Sequence, residues 1–299
     1  MPCNRPLPAW RTKLPGESGR LGVTFTHSLA DTSQKLEIPC GRCIGCRLER
    51  SRSWAIRLLH EAKNHEHNWF VTYTYNEDNI PRTNTGLATL NPEDFTLFMK
   101  RLRRNRERQG LEPTIRYYQC GEYGEETKRP HHHAIMFNLY LPDLRPIHIA
   151  RAPAAHTLYT SAELEETWNK GMVSIGRVTF ETAAYVAAYV TKKITGPMAQ
   201  EHYQGRTPEY STMSRRPGIG SGFAAEYEEE IYQADSVIIR GLEMKPPKYY
   251  DRQLERRDPD RWYEVRDQRA NKPKHIARAP ERAARELNQK QNLKTREPT

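Results

Sequence analysis

Nowhere in the 299 residues is there a run approaching the ~20 apolar side chains that a membrane-spanning helix needs. The N-terminus, Met1-Pro2-Cys3-Asn4-Arg5, has no apolar signal core, so an integral membrane protein and a secreted one are both set aside. Hydrophobic residues make up only 36% of the chain and the mean hydropathy is −0.89. Acidic residues are in deficit, 37 Asp and Glu against 47 Lys and Arg, which leaves a formal net charge of +10 and a pI of about 9.3. Such an excess points to an acidic partner, most simply nucleic acid, although it also suits a merely solvated basic surface. There are five cysteines, three of them bunched as Cys40, Cys43 and Cys46. This argues against a disulfide framework and for a thiolate site in a reduced compartment. Internal repeats are lacking, and so is a P-loop pattern, so any unwinding of nucleic acid would be delegated to another protein.

What is there has helical and strand periods in alternation. Residues 1–46 read as an irregular, cysteine-containing arm with Pro and Gly and no clear period. Residues 47–64 turn helical, with Leu48, Ala55, Leu58, Leu59 and Ala62 on one side. The aromatic and β-branched stretch from Trp69 to Tyr75 reads as a strand. Asn91-Pro92-Glu93-Asp94 carries the start signals of a helix, and Phe95, Phe98, Met99 and Leu102 follow at core spacing. The same helix bears Lys100, Arg101, Arg103, Arg104, Arg106 and Arg108, either a solvated face or a rail for phosphates, with Arg101 and Arg104 as candidate DNA contacts. Strands are predicted over 114–121, 133–139 and 172–180, short helices over 161–168 and 181–194, and one more strand near 236–240. The order suits an α+β fold of the split βαβ kind, an antiparallel central sheet with helices packed on one face, over residues 47–250. The last segment, 251–299, reads as a basic, disordered tail. From Gln268 onward it has nine Lys and Arg against three acids and few large apolar residues, which predicts sequence-independent affinity for DNA.

Two groups of residues carry chemistry. In Pro130-His131-His132-His133 the side chains alternate across a strand, so His131 and His133 share a face and His132 points away. Two imidazoles so placed can hold one divalent ion, and Glu122 at the end of the preceding strand would complete the site, with Glu125 and Glu126 in the turn as alternatives. The second group is Tyr185 and Tyr189, one helical turn apart, followed by Lys192 and Lys193. Alone, this is more often an aromatic stripe facing a core. Together with a metal pair, it is the equipment for transesterification of a phosphodiester, with a tyrosine oxygen as nucleophile and a nearby lysine to favour phenolate.

The motifs resemble those of a known family. Arg129-Pro130-His131-His132-His133-Ala134-Ile135 is similar to the His-hydrophobic-His motif of the HUH endonucleases, with a polar residue, His132, in the hydrophobic slot. Tyr189-Val190-Thr191-Lys192 resembles the Tyr-x-x-Lys motif of rolling-circle initiators, and Tyr185 with Tyr189 resembles its two-tyrosine version. With the segments at 39–57, 120–135 and 213–223, the chain resembles the replication initiators of small single-stranded DNA phages, the gokushovirus branch of the microviruses. The resemblance implies nicking of origin DNA in the cytoplasm of a bacterial host, a 5′-phosphotyrosine link, Mg²⁺ or Mn²⁺ as cofactor, and a host helicase and polymerase as partners. It also supports Tyr189 as the first nucleophile and Tyr185 as the second.

Cys3, Cys40, Cys43 and Cys46 have the number and spacing for a tetrahedral Zn²⁺ site; an iron–sulfur cluster and free thiols are the other readings. Arg215 and Arg216, beside the Gly-rich bend at 217–220, suit phosphate contact or a plain surface loop. Two rival functions use the same residues: a non-enzymatic DNA-binding or packaging protein, with the His and Tyr residues in its core, and a HUH transposase or relaxase with a single tyrosine.

Overall fold

A computed structural model describes residues 2–16, 19, 21–147, 157–189, 193–194, 196–273 and 277–294. The chain divides into two compact units, Met1–Arg50 with Asn271–Thr299, and Ser51–Ala270.

In the smaller unit, β1 (Leu7–Pro15) is flanked by β2 (Leu21–Thr24) and β3 (Ala30–Ile38), all antiparallel. The arm expected to be irregular is thus a small sheet; its strands are short on buried residues, so the alternation that reveals a half-buried strand is missing from the sequence. Helix α1 (Ile44–Lys63) follows.

The larger unit continues with β4 (Asn68–Tyr73), α2 (Pro92–Arg108), β5 (Arg116–Tyr123), β6 (Pro130–Phe137), β7 (Arg145–Ile147), β8 (Leu158–Thr160), α3 (Ala162–Trp168), β9 (Val173–Arg177) and α4 (Phe180–Tyr189). Then come α5 (Met198–Tyr203), β10 (Tyr210–Met213), α6 (Ser221–Glu226), α7 (Glu228–Ala234), the hairpin β11 (Val237–Ile239) and β12 (Leu242–Met244), α8 (Lys248–Arg257) and α9 (Pro259–Asn271). Seven strands form one antiparallel sheet in the order β10-β5-β6-β4-β9-β8-β7. The fold is α+β, as expected. No helix among the described residues is long and apolar enough to cross a membrane.

Helices cover both faces of this sheet rather than one. On the first face, Phe95, Phe98, Met99 and Leu102 of α2 pack with Val71, Tyr73, Ala134 and Met136, and Leu164 and Trp168 of α3 join them. Each fully buried side chain of this size contributes roughly 1.5–3 kcal/mol. Helix α2 starts where its sequence says it should: Asn91 Oδ1 accepts from Glu93 N at 3.1 Å and Pro92 occupies the first position. On the second face, Ala55 and Leu58 of α1 and Ala183, Val186 and Ala187 of α4 pack on Tyr118, Cys120, Ile135 and Phe137. The alanines let α4 lie close to the strands. The central strands are apolar at both parities, as a sheet covered on both sides must be.

Half of the basic residues of α2 are structural, while Lys100, Arg104 and Arg108 are exposed. Arg101 Nε donates to the Thr167 carbonyl at 3.1 Å and Arg103 Nη2 to that of Ile115 at 2.6 Å. Arg106 is buried and pairs with Glu163 at 2.9 Å. These guanidiniums tie α2 to its neighbours, so Arg101 is occupied, and Arg104 is exposed on a helix that packs against the first face.

The tail expected to be disordered contains α10 (Ala279–Lys294) among its described residues. Polar contacts within the smaller unit hold it: Arg285 donates to Asn4 Oδ1 at 2.9 Å and to the Cys3 carbonyl at 3.0 Å, and Arg5 pairs with Glu286 at 3.0 Å. The partners are some 280 positions away along the chain, which composition cannot reveal.

Two buried histidines make stability depend on pH. His60 Nδ1 lies 2.8 Å from Tyr250 Oη and its ring stacks on Phe223. His132 is wholly enclosed on the first face of the sheet. Burial, reinforced by the positive charge of Lys63 in one case and of His131 and His133 in the other, lowers each to about 3. The unfolded chain takes up protons below ~6.5 and the folded chain does not, so the stabilisation is complete above that pH and is lost as pH falls towards 3. At pH 5 each histidine is expected to cost about 2 kcal/mol. Thermal melts at pH 7 and pH 5 check this; an unchanged melting temperature would contradict it.

Candidate active site and metal centres

Strands β5 and β6 pair so that Glu122 stands directly opposite His131 and Cys120 opposite His133. On both strands these residues face the α1–α4 side, because parity places Glu122 with Tyr118 and Cys120, and His131 and His133 with Ile135 and Phe137. Glu122 Oε1 lies 2.7 Å from His131 Nε2 and 2.9 Å from His133 Nε2. Glu122 and His133 are buried and His131 is about one-fifth exposed, so the group opens to solvent on one side. Glu125 and Glu126 are exposed in the turn and stand outside the group.

The donor set fits a divalent cation. The Nδ1 of His131 is 3.1 Å from the Arg129 carbonyl, which can only accept, so Nδ1 carries a proton, and Nε2, facing Glu122, is the atom that a cation would occupy in place of a proton. His133 Nδ1 is set 2.9 Å from Thr72 Oγ1. Lone pairs and a carboxylate oxygen at such distances repel unless positive charge lies among them. Adjacent ligands around an octahedral ion with ~2.1 Å bonds are about 3 Å apart, the spacing found here. The second carboxylate oxygen, Glu122 Oε2, is buried without a hydrogen-bond partner among the described residues, as a further ligand atom would be. Burial alone would raise the Glu122 carboxyl, but the hydrogen bonds and charge of the two histidines outweigh it and hold the group below the usual carboxylate range.

The polar residue in the hydrophobic slot has a separate task. His132 points to the opposite face, where Gln119 Nε2 donates to its Nδ1 at 3.0 Å and its Nε2 donates to Tyr75 Oη at 2.9 Å. Tyr75 in turn donates to Asp94 at 2.8 Å, and Thr212 donates to Gln119 Oε1 at 2.8 Å. This line of hydrogen bonds crosses beneath β5 and β6 and ties α2 and β10 to the strand that carries the histidine pair. Any register slip that recruited His132 as a ligand would break it.

Tyr185 does not face the core. It is 45% exposed, and its ring meets that of His133 edge-on, centroids 5.3 Å apart, while Phe70 stacks on the histidine at 5.4 Å and meets Tyr185 edge-on at 6.2 Å. Tyr189 is the last residue of α4, one turn further on. Lys193 is exposed beyond the helix, and Lys192 lies outside the described residues. Thr72 and Phe70, which set the His133 ring, had a signal in the sequence: both have the parity on β4 that faces the histidine pair. Arg215 and Arg216 are exposed in the loop after β10.

In the smaller unit, the sulfurs of Cys3, Cys40, Cys43 and Cys46 all lie within 4.8 Å of one another. Cys3 Sγ is 3.6 Å from Cys40 Sγ and 3.8 Å from Cys43 Sγ. Backbone N–H groups donate to three of the thiols: Asn4 to Cys43 at 3.2 Å, Cys40 to Cys3 at 3.3 Å, and Cys43 to Cys40 at 3.3 Å. The edge of a tetrahedron with ~2.3 Å metal–sulfur bonds is about 3.8 Å, and such N–H donors offset thiolate charge. Cys120, by contrast, is enclosed in the core of the sheet.

Comparison with known proteins bears on the same part of the chain. The family described as replication-associated protein ORF2/G2P matches residues 68–194, which include the triad and both tyrosines. The replication-associated protein ORF2 of Spiroplasma virus 4 is 37% identical over 88% of this chain and 83% of its own. The replication-associated protein VP4 of Bdellovibrio phage phiMH2K is 30% identical over 93% of this chain and 84% of its own. The replication-associated protein ORF4 of Chlamydia phage 1 is 28% identical over 71% of this chain and 52% of its own. No solved structure matches the chain. With so much of its length shared at such identity, the chain belongs to the family of phage replication-associated proteins.

Proposed function

We propose that this protein initiates rolling-circle replication by nicking single-stranded origin DNA through tyrosine transesterification. The observation that carries the reading is the convergence of Glu122, His131 and His133 on one point beside the exposed ring of Tyr185. Glu122 and the two histidines would hold Mg²⁺ or Mn²⁺, which when bound polarises the scissile phosphate and offsets the charge developing on it. The tyrosine oxygen bonds to phosphorus as the bond from phosphorus to the 3′ oxygen breaks; the phenol loses a proton and the leaving 3′ oxygen gains one. The product is a 5′-phosphotyrosine and a free 3′ hydroxyl for a polymerase. Lys192 and Lys193 follow the tyrosine pair and favour phenolate. With two tyrosines a turn apart, the second can cut the regenerated origin while the first still holds DNA. Incubation with single-stranded origin DNA and Mn²⁺, followed by a denaturing gel, tests the reading; absence of a covalent adduct would overturn it.

The four-cysteine group is read as a structural Zn²⁺ site that closes the N-terminal arm on the first turn of α1. Purified protein is expected to contain about one zinc per chain. Chelation is expected to make residues 1–50 sensitive to limited proteolysis, because the binding energy of such a site is folding energy. Metal-free, fully folded protein with four titratable N-terminal thiols would rule it out.

A further inference from the structure

On the same face of the sheet as the triad, beyond α1, lies a cavity of about 460 Å³, within the ~300–1,000 Å³ of ordinary ligand sites. Its lining includes four arginines, Arg57, Arg215, Arg216 and Arg256, and two aromatic residues, Trp54 and Tyr249; no acidic residue lines it. The Arg57 guanidinium is sandwiched between the Trp54 and Tyr249 rings, 3.9 and 3.8 Å from their centroids, and its Nε donates to the Ile219 carbonyl at 2.9 Å. Burial lowers Arg57 to about 10, which leaves it charged at neutral pH. Arg215, Arg216 and Arg256 are exposed, and among the described residues none has a carboxylate partner. The wall is built for closeness: a Cβ at Gly218 would stand 2.3 Å from Tyr249 Oη, so a side chain there would displace the ring that closes the cavity.

Four guanidiniums gathered without a counter-charge repel one another, and the arrangement gains free energy when an anion enters. The aromatic walls add surface for a sugar or base. Position supplies the rest. Trp54 packs on Tyr118 with centroids 4.8 Å apart, and Tyr118 is on the face of β5 that carries Glu122, four residues away. At ~3.3 Å per strand residue that separation is about 13 Å, the reach of a short run of nucleotides.

We propose that this cavity holds one nucleotide of the single strand that the tyrosines cut, its phosphate on Arg215, Arg216 and Arg256 and its sugar and base against Trp54 and Tyr249. The inference rests on the proposed nicking function only for the identity of the strand. The cavity would then set the register of the strand, fixing which phosphate reaches the tyrosines.

The test is fluorescence anisotropy of a labelled 12-nucleotide single strand in EDTA, where no cutting occurs. The triple variant Arg215→Ala, Arg216→Ala, Arg256→Ala changes only exposed side chains, so its melting curve is expected to match the parent. Its affinity is expected to fall about tenfold or more, and its log–log salt slope by about 0.7, the share of one phosphate contact on single-stranded DNA. Lys100→Ala with Arg108→Ala, on the helix of the opposite face, is the charge control and is expected to change affinity less than about twofold. Equal losses in the two variants, or an unchanged salt slope in the triple variant, would overturn the proposal. Because the binding arm needs no metal, failure of the parent protein to nick would remove the proposed function and leave this inference standing on its own measurement.

Discussion

Alanine in place of His131 or His133 is expected to lower single-strand nicking at least ~100-fold, since the loss of a ligand forfeits the several kcal/mol of charge stabilisation that a bound cation supplies. Glu122→Gln is expected to do the same: it keeps the shape of the side chain and removes the charge that the two imidazoles converge on. DNA affinity is expected to survive in all three variants, because affinity for nucleic acid comes mainly from cations on phosphates. A labelled origin oligonucleotide with Mn²⁺ on a denaturing gel, with anisotropy in parallel, separates the two quantities. Full activity of the variants, or undiminished cleavage in excess EDTA, would remove the triad from the mechanism. His132→Gln is the instructive contrast, since His132 faces away from the triad and holds Tyr75 and Gln119. Buried polar groups left without partners cost roughly 1–3 kcal/mol, so its first effect is expected on stability.

The double variant Tyr185→Phe, Tyr189→Phe is expected to form no covalent adduct and to retain the fold. Phenylalanine keeps the ring, so the edge-on contact of residue 185 with His133 persists while the nucleophilic oxygen is gone. Each single variant is expected to keep one round of cleavage by its remaining tyrosine and to lose the joining of a second cut. Mass spectrometry of the adducted peptide after one nick assigns the order; the Lys192 spacing implies Tyr189 first. An adduct on neither tyrosine would remove α4 from the chemistry.

Both experiments probe residues that local pattern already singled out. Strand alternation alone places His131 and His133 on one face and His132 on the other, since it depends only on the pleat. The cap and apolar spacing of α2 likewise need no tertiary partner, and its observed start at Pro92 follows Asn91 as read. The count and spacing of the cysteines point to a four-thiol group for the same reason. The alanine-rich pattern and the stop signal that follows it placed the tyrosine pair on a helix, as α4 is.

What the tertiary structure decided is what depends on residues far apart in the chain. Among Glu122, Glu125 and Glu126, only the strand register selects Glu122, by setting it opposite His131. The arginines of α2 read alike in sequence, yet Arg101, Arg103 and Arg106 are spent on carbonyls and a carboxylate that come from later segments. The arginine-lined cavity draws on α1, the loop after β10, and α8, three segments with no common period. Helix α10 is held by Cys3, Asn4 and Arg5 from the opposite end of the chain. Periodicity reports how a segment meets its immediate surroundings; charge partners, ligand sets and cavities are set by strand order and packing, which bring distant segments to one place.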